Sequence, residues 1–145
     1  MSKFRRLSDS MYASPQLEVE DLEAAKAHGI ALIVNNRPDG EAPEEPQGDA
    51  IEAAAHSAGM DYLAIPIGHG GFSEPQVTAL RKAIDAANGP MLAYCRSGTR
   101  STFLWALAQA QAGHDPDELA AQAAAAGYDV APVRPAMDMF AARAR

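Results

Sequence analysis

Cysteine is nearly absent: Cys95 is the only one in 145 residues, which excludes internal disulfides and any multi-thiolate zinc site. An unpaired thiol fits a reducing compartment, and the chain reads as cytoplasmic. Aromatic residues are scarce at 6%, while the apolar 48% is dominated by Ala. That composition suits helices packed closely on a sheet, because Ala combines the best helix propensity with little bulk. No apolar run approaches the roughly 18 residues of a membrane-spanning helix. No segment gathers Lys and Arg into a stripe, and 12 cationic against 19 anionic side chains leave a net charge of −7. Neither nucleic acid nor an anionic membrane is therefore expected as a partner. Residues 1–10 contain Arg5 and Arg6 with no apolar core behind them, and read as a loose N-terminus, not a secretory signal. His28, His56 and His114 lack ligand spacing, so neither a metal nor a cofactor is implied. The sequence carries no signal for an oligomeric state.

What is present is an alternation of strand and helix signals over residues 1–145, read as one domain. Met11–Ala13 is a short strand, and Ser14 with Pro15 is expected to open a helix that Gly29 closes. Residues 30–35 (IALIVN) form the β-branched run of a buried parallel strand. Asp49 opens an Ala-rich helix reaching Gly59; Tyr62–Ile67 and Met91–Tyr94 are further strands, with a helix between them that starts at Ser73. Helices follow from Ser101, from Asp115-Pro116, and from Pro132 to the C-terminus. The expected fold is α/β: a central, mostly parallel sheet of four to five strands with helices on both faces. In such sheets ligands bind beyond the carboxyl ends of the strands. Three polar loops meet there: 36–41, 68–72 and 95–100.

The third loop has the composition of an anion site. In Tyr94-Cys95-Arg96-Ser97-Gly98-Thr99-Arg100-Ser101, Gly98 permits the backbone geometry that turns successive N–H groups inward. The helix that follows aims its unpaired N–H groups and positive dipole end at the same point. A thiol in such surroundings is held as the thiolate, so Cys95 is the expected nucleophile. Arg100 supplies a planar fork for oxyanions. Ser101, together with Thr99, is placed to donate to the sulfur, while Arg96, Ser97, Gly98 and Thr99 complete the anion cradle.

The same residues carry a family resemblance. Together with Ser14-Pro15-Gln16-Leu17, residues 35–41 (NNRPDGE) and residues 62–66 (YLAIP), the loop resembles the bacterial family described as the beta-lactamase hydrolase-like protein, phosphatase-like domain, over about residues 11–112. The resemblance implies a compact dual-specificity or tyrosine phosphatase-like fold. Its members are described both as phosphatase-like and as sulfurtransferases. Tyrosine and dual-specificity phosphatases use Cys-x5-Arg, usually with His before the Cys; here four residues separate Cys95 from Arg100, and Tyr94 precedes the Cys. The pattern resembles the shorter rhodanese loop. One residue fewer tightens the ring of N–H groups and favours a single sulfur atom over a phosphoryl group, whose transfer depends almost wholly on positioning.

The general acid of a phosphatase also lacks an obvious donor. His69, Asp39 and Glu41 are the candidates, Asp39 being equally a turn residue, and Arg37 is a candidate for binding an anionic substrate. The leading expectation is thus a cysteine-dependent sulfurtransferase that carries sulfane sulfur as a Cys95 persulfide. The alternatives are hydrolysis of phosphomonoesters through a Cys95 phosphocysteine, and an idle anion-binding module. In each case the partner is a small anion, a sulfane donor or a phosphomonoester.

Overall fold

A computed structural model of the chain describes residues 3–68 and 70–144. Its elements run β1 (Arg5–Ser8), β2 (Met11–Ser14), α1 (Asp21–Ala27), β3 (Leu32–Asn35), α2 (Gly48–Ser57), β4 (Asp61–Ala64), α3 (Glu74–Ala86), β5 (Met91–Tyr94), α4 (Thr99–Gln111), α5 (Pro116–Ala125), a short 3-10 turn (Ala131–Val133) and α6 (Arg134–Arg143). They form the expected α/β architecture. The strand order is β1-β2-β5-β3-β4, with the last four parallel and β1 antiparallel to β2.

Side-chain alternation along the strands divides the core in two. Ala13, Val34, Met91 and Ala93 join a cluster with residues of α3, α4, α5 and α6; Ile33, Leu92 and Tyr94 join another with Leu22 and Ala25 of α1 and Ile51 and Ala55 of α2. Helix α4 is the centre of the larger layer. Leu104, Trp105 and Leu107 are buried, each contributing on the order of 2 kcal/mol, and Ala106, Ala108 and Ala110 are buried between them. Those small side chains explain why so few aromatics suffice: they let neighbouring helices approach α4 closely. Among the described residues no helix is long and apolar enough to cross a membrane.

Three local expectations change. Residues 5–8 are not loose but form an edge strand paired with β2, in which Leu7 is buried while Arg5 and Arg6 are exposed; one buried residue in four gives no alternation to read. Ser14 is not a helix cap: it pairs with Tyr94 as the last residue of β2, its Oγ donates to the Pro15 carbonyl at 2.8 Å, and the helix begins only at Asp21. β4 also ends at Ala64, short of the expected Ile67.

The sheet's carboxyl edge is what positions the site. β5 lies between β2 and β3, and the ladder continues past the strand ends through Cys95 N to Ser14 O (3.3 Å), Asn36 N to Tyr94 O (2.9 Å) and Ile67 N to Asn36 O (2.9 Å). Cys95, Asn36 and the segment at Ile67 are thereby fixed side by side.

Candidate functional site

Cys95 follows a strand whose four residues are all buried, and is itself 0% exposed. The chain then turns sharply into α4. Gly98, at φ 93°, precedes the first turn of that helix, and its N–H donates to Cys95 Sγ at 3.1 Å. Glycine is required here on two grounds. A side chain rarely adopts this φ, and a Cβ would stand 2.2 Å from the Tyr128 hydroxyl. The Gly98 carbonyl accepts from Thr102 N at 2.9 Å and from Thr102 Oγ1 at 2.8 Å, which locks the turn onto the helix. The N–H groups of Arg96, Ser97, Arg100 and Ser101 have no acceptor among the described residues. Four open donors and a helix N-terminus within the six residues after Cys95 constitute an anion nest.

Arg100 sits 24% exposed at the side of this nest. Its Nη1 donates to Glu41 Oε2 at 2.9 Å and its Nη2 to Glu41 Oε1 at 2.7 Å, a bidentate pair. Nη1 also donates to the Ile67 carbonyl at 2.7 Å. The Arg100 pKa is raised, first by the Glu41 hydrogen bonds and further by the charge and hydrogen bonding of the neighbouring Cys95. The guanidinium is thus held by a carboxylate pair and one backbone carbonyl, at the start of the helix that follows Cys95.

Ser101 does not serve the sulfur. Its Oγ donates to Asn36 Oδ1 at 2.8 Å, and Asn36 Nδ2 donates to the Ile65 carbonyl at 3.0 Å, so the serine ties α4 to the end of β3. Ser97 and Thr99 bond each other, Ser97 Oγ donating to Thr99 Oγ1 at 3.0 Å. Arg96 is exposed, with its carbonyl accepting from Gln16 N at 3.3 Å.

The loop after β3 holds the remaining candidates. Arg37, 8% exposed, donates to Glu41 Oε1 at 2.8 Å, to Gln16 Oε1 at 2.9 Å and to Glu45. Its pKa is raised by these carboxylates against the opposing effect of burial. Its Nε and Nη1 thus tie this loop to Gln16, at the carboxyl end of β2. Glu41, between two arginines, has its pKa lowered from 4.5 to about 2, chiefly by the Arg100 hydrogen bonds and then those of Arg37. A carboxyl group held ionised in this way cannot donate a proton near neutral pH. Asp39 is exposed, and its Oδ1 accepts from Gly48 N at 2.8 Å, where α2 begins. His69 lies outside the described residues. Among the described residues no group of three or more His, Cys, Asp or Glu is arranged to hold a metal ion.

Three participants escaped the sequence reading. Asn36 and Gln16 stood inside tracts already singled out, but their partners are 65 and 21 residues distant in the chain. Tyr128 comes from beyond α5, and its hydroxyl donates to the Ser97 carbonyl at 3.2 Å; no local pattern points to it.

Residues 3–112 match the family model described as beta-lactamase hydrolase-like protein, phosphatase-like domain. The beta-lactamase hydrolase-like protein of Xylella fastidiosa (strain Temecula1) is 34% identical over 125 residues, 86% of this chain and 29% of that protein. Its counterpart from Agrobacterium fabrum is 34% identical over 108 residues, 74% of this chain and 25% of the relative. The chain thus spans less than a third of the length of these relatives. Among solved structures, a "putative phosphatase" from Neisseria meningitidis Z2491 superposes with a TM-score of 0.84 at 33% identity, covering 97% of this chain and 99% of that one. Tk-PTP in its active form shares the fold, with a TM-score of 0.77 at 16% identity over 97% of each chain. The fold is accordingly that of the cysteine phosphatases, and the chain belongs to the beta-lactamase hydrolase-like protein, phosphatase-like domain family.

Proposed function

We propose that this family member hydrolyses phosphomonoesters through a Cys95 phosphocysteine, and not, as loop length alone favours, that it carries sulfane sulfur. One observation carries the reading: Arg100, in the first turn of the helix that follows Cys95, stands beside four open backbone donors. In the Cys-x5-Arg pattern the arginine would fall at Ser101, which instead binds Asn36. Arg100 supplies the guanidinium one position earlier, so the shorter loop keeps the charge that a phosphoryl group needs. The phosphatase-like family and fold neighbours support the same choice.

In the proposed reaction the Cys95 thiolate attacks phosphorus and the bond to the leaving oxygen breaks. Open N–H groups and Arg100, released from Glu41 in whole or part, take the phosphoryl oxygens, where fixed donors have most effect. Water then cleaves the phosphocysteine to inorganic phosphate. Glu41 is ionised and Asp39 is bonded to Gly48 N, so the best substrates are those whose leaving group needs little protonation, such as aryl phosphates.

The test is aryl phosphate hydrolysis inhibited by vanadate and lost by at least about a thousandfold in Cys95→Ser. Unchanged turnover in that variant, or none in the wild type, overturns the reading. The tight contact of Gly98 N with Sγ favours a second reading, sulfane transfer. Thiosulfate treatment would then add one sulfur to the intact mass, absent in Cys95→Ser. An anion-binding module without turnover would show neither result.

A further inference from the structure

Three cationic side chains, Lys3, Arg5 and Arg6, stand next to the Cys95 loop on a chain of net charge −7. Two of them have carboxylate partners. Lys3 Nζ lies 2.6 Å from Asp21 Oδ2, and Arg6 pairs with Asp9. Arg5 has none among the described residues; its Nη1 donates only to the Ala126 carbonyl, at 3.2 Å. The absence of a side chain at Gly127 admits it, since a Cβ there would stand 3.0 Å from that nitrogen. These cations, with Pro15, Ser97 and Tyr128, border an open cleft of about 530 Å³, within the roughly 300–1,000 Å³ usual for small-molecule sites.

Ser97 and Tyr128 are shared between this cleft and the nest. Tyr128 donates to the Ser97 carbonyl and covers Gly98. Its hydroxyl pKa is raised, mainly by burial. Ser97 and Tyr128 thus join the nest to a cleft whose wall holds Arg5, a guanidinium with no carboxylate partner among the described residues.

We infer that the cleft is an accessory anion subsite in which Arg5 binds a second phosphate group, so that the preferred ligand is a small molecule bearing two phosphomonoesters. This rests on the phosphomonoester reading above. A planar guanidinium suits such a group because it donates two parallel hydrogen bonds to one oxyanion.

The experiment measures binding to the Cys95→Ser chain by calorimetry, with myo-inositol 1-phosphate and myo-inositol 1,4-bisphosphate as probes. The bisphosphate should bind more tightly. Arg5→Ala should lower the ratio of the two affinities about tenfold, the scale of one charge-assisted contact, and Arg5→Lys should restore part of it. A ratio is read because a general loss of folded protein lowers both affinities together. Phosphatidylcholine vesicles carrying phosphatidylinositol 4,5-bisphosphate, compared with vesicles carrying phosphatidylinositol 4-phosphate, give the same ratio for a lipid headgroup and separate that source from a free ligand. A tenfold loss with either source supports the subsite. Equal affinities within both pairs of probes, soluble and vesicle-borne, or ratios that Arg5→Ala leaves unchanged in both, overturn it. Failure of the hydrolytic reading is seen separately, as absence of aryl phosphate turnover by the wild-type chain.

Discussion

The two strand-to-helix loops that meet at the sheet edge are built by opposite means. The loop after β5 is made of backbone: Gly98 in a left-handed conformation, amide groups without acceptors, and the start of α4. The loop after β3 is made of side chains. Arg37 holds Glu41, Glu45 and Gln16, Asp39 reaches Gly48 N, and Gln47 bonds the carbonyls of Ala42 and Glu45 at 3.0 and 2.7 Å. Where the first offers donors for an anion, the second contributes the anion, Glu41, that occupies Arg100. Damage to the first loop should appear in chemistry, and damage to the second in folding.

The two arginines test this most strongly. Arg100→Ala should reduce aryl phosphate kcat/KM by about a thousandfold, the upper range for one oxyanion-stabilising group. Its stability cost should be the lesser of the two, about 1–2 kcal/mol, because Glu41 loses its bidentate partner but keeps Arg37. Arg37→Ala removes the partner of Glu45 and the second partner of Glu41, with the hydrogen bond to Gln16, from a site only 8% exposed. It should cost about 3 kcal/mol, the low end for a broken buried pair, because Glu41 keeps Arg100. Urea unfolding and steady-state rates on both variants decide the matter. If Arg100→Ala destabilises as much as Arg37→Ala, the division between the loops is wrong.

Acid titration probes the junction between them. The folded-state pKa of Glu41 is about 2 against an ordinary 4.5, so the folded chain favours the ionised form. That contribution to stability is complete above about pH 4.5 and is lost as pH falls toward about 2. Glu41→Gln lacks this titration. The stability gap between wild type and Glu41→Gln should therefore be constant near neutrality and shrink between those two values, as followed by urea midpoints. A gap of constant size down to pH 2 would mean that the two arginines do not hold this carboxylate.

The same contrast explains what the sequence made legible. The β5-to-α4 loop depends on local chemistry, a glycine and a helix start within a few residues, so Cys95, Gly98 and Arg100 could be read as a unit. The parallel sheet was legible for a similar reason: β-branched runs separated by helix-length segments admit few arrangements. The ion pairs of the β3-to-α2 loop depend on which side chains the sheet brings together. Arg100 and Glu41 are 59 residues apart, and nothing near either residue announces the other. Ser101 illustrates the limit. Its place after the arginine suggested a donor to sulfur, but the adjacency of β3 and β5 offered it the Asn36 side chain instead.

Gly98→Ala should disturb the backbone-built loop by a smaller amount. The left-handed φ costs on the order of 1 kcal/mol for a residue with a side chain, and the Tyr128 ring, 2.2 Å from the added carbon at its hydroxyl, must move and release the Ser97 carbonyl. A total of about 2 kcal/mol is expected in the wild type. In a Tyr128→Ala background only the φ strain remains, about 1 kcal/mol, and that non-additivity is the measurement. Equal costs in both backgrounds would show that Tyr128 does not press on the loop.

Asp39 gives the smallest effect and separates a structural duty from a chemical one. Its carboxylate accepts the N–H of Gly48 at the first turn of α2, the position at which a cap contributes about 1 kcal/mol. Asp39→Ala should lose that amount, and Asp39→Asn should recover most of it, because an amide oxygen accepts the same hydrogen bond. A general acid would behave otherwise: Asp39→Asn would keep the fold but lose the proton, slowing alkyl phosphates by about a hundredfold or more and aryl phosphates much less. Stability restored by Asn with alkyl and aryl rates falling together, or not at all, assigns Asp39 to the architecture of the side-chain-built loop. A selective loss on alkyl phosphates would transfer it to the chemistry and join the two loops in one mechanism.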